Sequence, residues 1–215
     1  MEVLITGGAG FLGAKLARKL LEKGTLADAS GQQQPITRLT LLDVVAAQGF
    51  TDPRVNVLKG DVADAATLAR VVTPSVQSIF HLAAVVSGEA EADFELGMRI
   101  NLDATRLLLE QARKNGNRPR VVFTSTVAVF GGELPEKVID TTPATPQGSY
   151  GSQKAMCELM VSDFTRKGFI DGRSLRLPTI SVRPGKANKA ASSFASGIIR
   201  EPLNGVVSEC PVPPD

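Results

Sequence analysis

Two hydrophobic periodicities alternate along the chain. Short apolar runs such as 3–5 are typical of buried strands, and longer stretches with apolar residues on one face, such as 11–23, are typical of helices. The pattern predicts strands at about 2–6, 38–43, 54–59, 76–82, 119–125 and 173–178, and helices at about 11–23, 64–72, 90–115, 150–167 and 191–200. Alternating strands and helices form βαβ units, so we expect an α/β fold with a Rossmann-like, doubly wound parallel sheet.

Two polar stretches interrupt this alternation. Residues 28–37 include three consecutive glutamines, and they are expected to form a surface loop. Residues 133–148 contain three prolines, and they are expected to form a loop that leads into the helix at 150–167.

Glycines follow the first predicted strand at positions 7, 10 and 13, and an amphipathic helix follows the glycines. Such a turn lets the backbone approach a pyrophosphate, whose charge then lies at the helix N-terminus. The spacing is Gly-x-x-Gly-x-x-Gly, not the Gly-x-Gly-x-x-Gly of many dehydrogenases, but the strand–turn–helix context is the one required. The expected cofactor-binding residues here are Gly7, Gly10, Phe11, Leu12 and Gly13.

Asp43 ends the second strand of the predicted βαβ unit. An acid at this place accepts hydrogen bonds from adenosine ribose hydroxyls and repels a 2′-phosphate. Because no arginine directly follows Asp43, NAD is favoured over NADP. The alternative is that Asp43 only caps a loop.

Tyr150 is the only tyrosine, and it precedes Lys154 by four residues. On a helix this spacing places phenol and ammonium on one face. The lysine charge is expected to lower the tyrosine pKa, which would give a base for removing a proton from an alcohol. Alternatively, the pair belongs to an ordinary solvated helix face.

The composition narrows the chemistry further. With a net charge of +2, nothing indicates a nucleic acid or an anionic membrane as partner, and no apolar run approaches the length of a transmembrane helix. His81 is the only histidine, and Cys157 and Cys210 are far apart, so no ordinary zinc site and no metal are expected. A Ser-His-Asp hydrolase would also need His81, and the chain has no Gly-x-Ser-x-Gly elbow.

Two cysteines are too few for a disulfide framework, which favours a reducing compartment. The first strand is predicted to begin at Glu2, which leaves no room for a signal peptide. The expected location is therefore the cytoplasm.

Taken together, the motifs resemble the extended short-chain dehydrogenase/reductases, the NAD-dependent epimerase/dehydratase family. The resemblance covers residues 1 to 185. Besides the glycine turn and the tyrosine–lysine pair, the segments that carry it are Gly60-Asp61-Val62, His81-Leu82-Ala83-Ala84, Ile100-Asn101-Leu102-Asp103-Ala104-Thr105 and Thr124-Ser125-Thr126-Val127-Ala128-Val129-Phe130-Gly131.

The resemblance implies further cofactor contacts and a catalytic set. It implies that Asp61 lies near the adenine amine and that the backbone after strand 76–82 passes the cofactor. The cofactor-binding residues added to the glycine turn and Asp43 are Asp61, Val62, Leu82, Ala83, Ala84, Asn101, Ser125, Tyr150, Lys154 and Pro178. The implied base is Tyr150, with Lys154 lowering its pKa and holding the nicotinamide ribose.

The catalytic hydroxyl falls on one of two neighbours. Counting back from Gly131 places the family's hydroxyl on Thr126, and Ser125 precedes it directly. Successive side chains on a strand point to opposite faces. We favour Thr126 for the substrate hydroxyl and Ser125 for cofactor or substrate, although either could be an ordinary strand-end hydroxyl.

Within the family, the segments 83–88, 125–131 and 177–185 resemble an enzyme that oxidises C2 of a four-carbon sugar acid. Arg183 is expected to bind the substrate carboxylate, unless it only ties down a loop, and Ser87 and Thr126 are expected to contact substrate hydroxyls. Val86 weighs mildly against a nucleotide-sugar substrate. The alternatives are an L-threonine 3-dehydrogenase-like enzyme, a nucleotide-sugar epimerase or dehydratase, and a non-catalytic NAD-binding protein.

The resemblance also bears on domain organisation. We expect an NAD-binding domain at 1–180 and the start of an incomplete substrate-binding subdomain at 181–215. Family members usually continue further, so the chain is expected to be C-terminally truncated. A homodimer through the helices at 90–115 and 150–167 is a further implication of the resemblance.

Overall fold

A six-stranded parallel sheet forms the centre of the fold in the computed structural model, which describes residues 1–185 and 191–212. The strands are β1 (Glu2–Thr6), β2 (Thr25–Ala27), β3 (Gln33–Pro35), β4 (Arg38–Asp43), β5 (Val55–Lys59), β6 (Val76–His81), β7 (Arg120–Thr126) and β8 (Asp171–Leu177). The large sheet has the order β5-β4-β1-β6-β7-β8, and every pairing in it is parallel. The expected doubly wound Rossmann-like sheet is confirmed.

Helices cover both faces of the sheet. They are α1 (Phe11–Lys23), α2 (Ala65–Val71), α3 (Ser87–Ala92), α4 (Phe94–Gly97), α5 (Ala104–Asn115), α6 (Ser149–Arg166) and α7 (Phe194–Leu203). A π-helical segment (Met98–Asp103) joins α4 to α5, and 3₁₀ turns occupy Val127–Val129 and Ala191–Ser193. No helix within the described ranges is both long enough and apolar enough to cross a bilayer.

Strand residues on both faces of the sheet are buried, because each face packs against helices. Leu4, Ile79 and Phe123 belong to the cluster beneath α2, α5 and α6, whereas Val3 and Ile5 belong to the cluster that includes residues of α1. This alternation along β1 explains why its sequence is apolar without interruption.

The polar stretch at 28–37 is not only a loop. β2 and β3 form a small antiparallel hairpin, which ends just before β4. Asp28 closes its turn, since its carboxylate accepts hydrogen bonds from the backbone N–H groups of Ser30 and Gln32. The loop expected at 133–148 does lack helix and strand.

The prediction of one continuous helix at 90–115 was wrong. Helical structure begins earlier, at Ser87, and breaks at Asp93, whose side chain accepts from the N–H of Leu96 and caps α4. The π-helical segment then widens the backbone before α5. The π-helical segment has only six residues, which is too short for its wider period to stand out from that of the α-helices beside it, so the sequence pattern did not reveal the change.

Candidate active site

A cleft of about 610 Å³ lies along the carboxyl edge of the sheet. Most residues that the sequence assigned to a site line it, namely Gly7, Gly10, Phe11, Leu12, Gly13, Leu82, Ala84, Ser87, Ser125, Thr126, Tyr150, Lys154, Pro178 and Arg183. These residues come from the ends of β1, β6, β7 and β8 and from the three helices α1, α3 and α6. Such an edge is where open parallel sheets bind ligands.

The glycine turn leaves no space for side chains. Gly7 has φ of +71°, and a Cβ there would lie 2.8 Å from the N atom of Ala83. A Cβ on Gly13 would lie 2.1 Å from the carbonyl oxygen of Gly7. The turn therefore packs directly against the backbone after β6, and α1 begins immediately beside the cleft.

The start of α1 is open to a ligand. Its N-cap is Gly10, so no side chain caps the first turn, and Phe11, Leu12 and Gly13 of that turn all line the cleft. Uncapped N–H groups at a helix N-terminus form a favourable environment for an anion such as a phosphate.

Asp43 contacts this turn instead of the cleft. One carboxylate oxygen accepts a hydrogen bond from the N–H of Ala9 at 3.0 Å, and the other accepts from Val45 at 3.4 Å. Asp43 is not among the lining residues. The carboxylate therefore stabilises the glycine turn.

Four other expected cofactor residues also lie outside the cleft lining. Asp61 forms an ion pair with Arg99, 2.6 Å between Oδ2 and Nη1. Burial raises the Asp61 pKa, but the hydrogen bonds from Arg99 and from the N–H of Ala63, together with the arginine charge, outweigh burial, so the pKa is lowered overall. Val62 packs into the core, and Ala83 contacts the glycine turn through its backbone. Asn101 is buried in the π-helical segment.

Asn101 links that segment to the loop after β6. Its Oδ1 accepts from the N–H of Val85 at 3.0 Å, and its Nδ2 donates to the Oε1 of Gln153 at 2.8 Å. The Asn101 side chain thus contacts other protein groups, whereas the expectation was a cofactor contact, and the loop it holds leads into Ser87 of the cleft.

Tyr150 and Lys154 lie one turn apart on α6 and both line the cleft. The Lys154 Nζ lies 5.8 Å from the centroid of the Tyr150 ring and donates to the carbonyl oxygen of Thr124 at 2.9 Å. Gly151 lets this helix approach the 3₁₀ turn, since a Cβ there would lie 2.2 Å from the carbonyl oxygen of Ala128.

The direction of the tyrosine pKa differs from the sequence expectation. Burial raises the pKa of Tyr150 above its ordinary value, whereas the expectation was a decrease caused by Lys154. Burial also lowers the pKa of Lys154 to about 8. In the protein without ligand, desolvation therefore outweighs the attraction between the two side chains.

Burial alternates along β7, and Ser125 is more deeply buried than Thr126. Ser125 is 3% exposed, and its hydroxyl donates to Oε1 of Glu158. Thr126 is half-buried, and its Oγ1 accepts from the N–H of Ala128 at 3.1 Å. Both residues line the cleft.

His81 is the centre of a closed hydrogen-bond network. Thr6 Oγ1 accepts from the N–H of Ala83 and lies 2.6 Å from His81 Nδ1, to which it donates when hydrogen is on Nε2. Thr105 Oγ1 donates to the carbonyl oxygen of Asn101 and therefore accepts from His81 Nε2, 3.0 Å away. Both ring nitrogens are satisfied in the neutral tautomer with hydrogen on Nε2.

The model of the NAD dependent epimerase/dehydratase family matches residues 3–213. The chain belongs to this family.

Two curated relatives carry the name D-erythronate dehydrogenase. The one from Cupriavidus necator is 64% identical over 215 residues, and the one from Haemophilus influenzae is 50% identical over 213 residues. These matches include 100% and 99% of the chain, which spans 66% and 65% of the relatives' lengths.

A solved structure of similar fold is that of a nucleoside-diphosphate-sugar epimerase from Agrobacterium tumefaciens. It is 46% identical, with a TM-score of 0.89 over 99% of this chain and 63% of that one.

Some residues that line or support the cleft were not among the site residues predicted from the sequence. Thr124 lines it and binds Lys154 through its carbonyl, and Arg200 of α7 lines it and donates to the carbonyl oxygen of Arg183 at 2.6 Å. Glu158 lies directly behind Ser125. Only Glu158 had a readable signal, because it follows Lys154 by four residues as Lys154 follows Tyr150.

The described residues, 1–185 and 191–212, hold no group of three or more His, Cys, Asp or Glu side chains arranged to bind a metal ion.

Proposed function

We propose that the protein catalyses the NAD-dependent oxidation of a secondary alcohol in a small sugar acid, with the C2 hydroxyl of D-erythronate as the reacting group and 2-dehydro-D-erythronate as the product. The observation that carries this proposal is the meeting of the glycine turn with Tyr150 and Lys154 in one cleft. The two curated relatives named D-erythronate dehydrogenase support the choice of substrate.

The glycine turn fits a dinucleotide. A side chain at Gly7 or Gly13 would collide with neighbouring backbone atoms, so only glycine fits at these positions. The first turn of α1 presents uncapped N–H groups to the cleft. These groups would hold the pyrophosphate, and Asp43, beside the turn, would accept from the ribose hydroxyls. Bound NAD would supply the hydride acceptor.

Proton transfer is assigned to Tyr150. Its phenolate would take the proton of the substrate hydroxyl and become the phenol, and the Lys154 ammonium, 5.8 Å from the ring centroid, would stabilise the phenolate before the transfer. Lys154 is held in place by the Thr124 carbonyl and would also contact the nicotinamide ribose. Thr126 would donate a hydrogen bond to the reacting oxygen.

The carboxylate of the substrate acid would bind to Arg183. Arg183 lines the cleft, and a guanidinium binds a carboxylate with two parallel hydrogen bonds. The backbone N–H of Arg183 donates to Ser196 Oγ, and its carbonyl accepts from Arg200, so the backbone beneath the guanidinium is held from two sides. Ser87 would contact a substrate hydroxyl.

A nucleotide-sugar epimerase is the second candidate, because the solved relative of 46% identity is described as a nucleoside-diphosphate-sugar epimerase. Such an enzyme returns its hydride within the catalytic cycle and releases no NADH. Val86 lines the cleft where many of those enzymes are expected to carry a polar residue, which favours the smaller acid.

The experiment is a substrate panel with NAD, in which NADH formation is monitored for four- and five-carbon aldonates, L-threonine and a nucleotide sugar. We expect steady NADH formation with D-erythronate and none with the nucleotide sugar. NADH formation with L-threonine and with no other compound would show that L-threonine is the substrate in place of D-erythronate. NAD binding without turnover of any compound would contradict the proposal that the protein is an enzyme.

The remaining parts of the proposal concern organisation. We place the boundary between the NAD-binding domain and the substrate-binding subdomain at residues 180 and 181, so that Arg183 belongs to the second. We also propose that the protein forms a homodimer through α5 and α6. We propose a cytoplasmic location. Size-exclusion chromatography with light scattering would test the dimer.

A further inference from the structure

Two neighbouring hydroxyls at the end of β7 have opposite hydrogen-bonding assignments. Thr126 Oγ1 already accepts from the N–H of Ala128, so its hydroxyl proton can be donated into the cleft. The Ser125 hydroxyl donates its proton to Glu158, because a carboxylate can only accept. Ser125 also lines the cleft, and because its proton is engaged by Glu158, its hydroxyl can act toward a ligand only as an acceptor.

Glu158 is oriented by Arg176. The Arg176 Nη2 lies 2.7 Å from Glu158 Oε2, and its Nε lies 3.1 and 3.2 Å from the two carboxylate oxygens. The guanidinium also lies over the Phe130 ring, 4.8 Å from its centroid. The Glu158 side chain is 12% exposed, so this pair is largely shielded from water.

The fold brings these groups together by register. Ser125 on β7 lies directly opposite Arg176 on β8, and Glu158 of α6 lies across both. On α6, Glu158 is one helical turn beyond Lys154, which is one turn beyond Tyr150. The same helix face therefore carries the proposed base, its lysine and the carboxylate behind Ser125.

We propose that Glu158 is a positioning residue that fixes Ser125 as a hydrogen-bond acceptor in the cleft. Ser125 then selects a ligand group that donates, such as the free hydroxyl next to the reacting carbon of a polyhydroxy acid, while Thr126 donates to the reacting oxygen. The role of the substrate hydroxyl rests on the proposed function, whereas the bond between Glu158 and Ser125 does not. A buried site built to pair a hydroxyl discriminates strongly against an analogue that lacks it.

Glu158→Gln tests whether Ser125 is an acceptor, because the substitution replaces one carboxylate oxygen with an amide nitrogen and keeps the shape of the side chain. Arg176 directs two donors at Oε2, so the amide oxygen of the new side chain should take that position. The amide nitrogen then takes the place of Oε1 and donates to Ser125, which frees the serine proton for the cleft. The substitution thus converts Ser125 from an acceptor into a donor.

The kinetic readout is a double-mutant cycle on kcat/KM for D-erythronate with Glu158→Gln, Ser125→Ala and the double variant. We expect each single change to lower kcat/KM by about tenfold, chiefly through KM, and the double variant to resemble Ser125→Ala within about twofold. Effects that multiply in the double variant would overturn the proposal, because Glu158 would then act independently of Ser125. Asp163→Asn is the matched control, since it neutralises an exposed arginine-paired carboxylate on the same helix and should change nothing.

A second readout does not depend on turnover. The buried Ser125 hydroxyl proton should give a downfield, slowly exchanging NMR signal that is lost in Ser125→Ala and in Glu158→Gln but kept in Asp163→Asn. A signal that survives Glu158→Gln, or no signal in the wild type, would overturn the assignment. If the wild type shows the signal and oxidises no sugar acid, the proposed function fails while the Glu158–Ser125 assignment stands.

Discussion

His81 and Lys154 are both 1% exposed at the same end of the sheet, yet their surroundings differ. Each ring nitrogen of His81 has a hydroxyl partner, and both partners are themselves held by backbone groups. Lys154 has one hydrogen bond, to the Thr124 carbonyl, and otherwise lies over the rings of Phe123 and Tyr150.

This difference separates a structural group from a functional one. The His81 network is complete, so a ligand could bind it only by breaking existing bonds, and burial together with the Lys154 charge lowers the His81 pKa to about 3. Lys154 lines the cleft with donor capacity left over, and an ammonium carries three donors. Histidine is the commoner proton carrier in enzymes, but here the lysine is the group available to a ligand.

The largest effect is expected from His81→Gln in acid. The unfolded histidine binds a proton near its ordinary pKa of 6.5 and the folded one only near 3, so wild-type stability falls as pH drops through this window. At about 1.4 kcal/mol per pKa unit, the total approaches about 5 kcal/mol. The free energy of unfolding, measured with urea at successive pH values, should lack this pH dependence in the variant. If the free energies of wild type and variant fell in parallel with pH, His81 would not be held neutral.

Lys154→Met should have the next largest effect, in alkali. The folded lysine loses its proton near pH 8 and the unfolded one near 10.5, so burial of the charge costs the wild type most below pH 8. As pH rises from 8 to 10.5, the wild type should gain about 3 kcal/mol relative to the variant. Turnover should fall by about 100-fold at neutral pH.

Lys114→Met is the control for that prediction, because Lys114 is exposed on α5. It should show neither the stability change nor the loss of turnover. A constant stability difference between wild type and Lys154→Met across the alkaline range would mean that Lys154 is solvated.

A smaller effect is expected on Tyr150 itself. Since the chain has one tyrosine and no tryptophan, its phenolate absorbance reports Tyr150 alone. Without ligand, the titration midpoint should lie above the ordinary value of about 10, because burial raises this pKa. A midpoint at or below that value would show that the lysine charge outweighs desolvation, as the sequence alone suggested.

Features set by nearby residues could be predicted from the sequence. The glycine turn, the strand that ends at Asp43 and the pairing of Tyr150 with Lys154 each depend on spacing within one element, and the structure places them as expected. The parallel pairing of the strands in the large sheet followed from the alternation of strands and helices.

Features set by distant partners could not be predicted. Asp61 is occupied by Arg99, 38 residues away in sequence, and Ser125 is occupied by Glu158, 33 residues away. The pKa of Tyr150 depends on how deeply α6 packs, which periodicity does not reveal. The π-helical segment could not be predicted because its six residues are too few to show a period different from that of an α-helix.

The most direct test of the account is the comparison of Tyr150→Phe with the wild type in NAD binding and in NADH formation from D-erythronate. The account predicts that the variant binds NAD with unchanged affinity and that kcat falls by about 100-fold or more, because the phenol oxygen is the proton acceptor. Turnover that is unchanged while NAD binding is also unchanged would contradict the assignment of Tyr150 as the base.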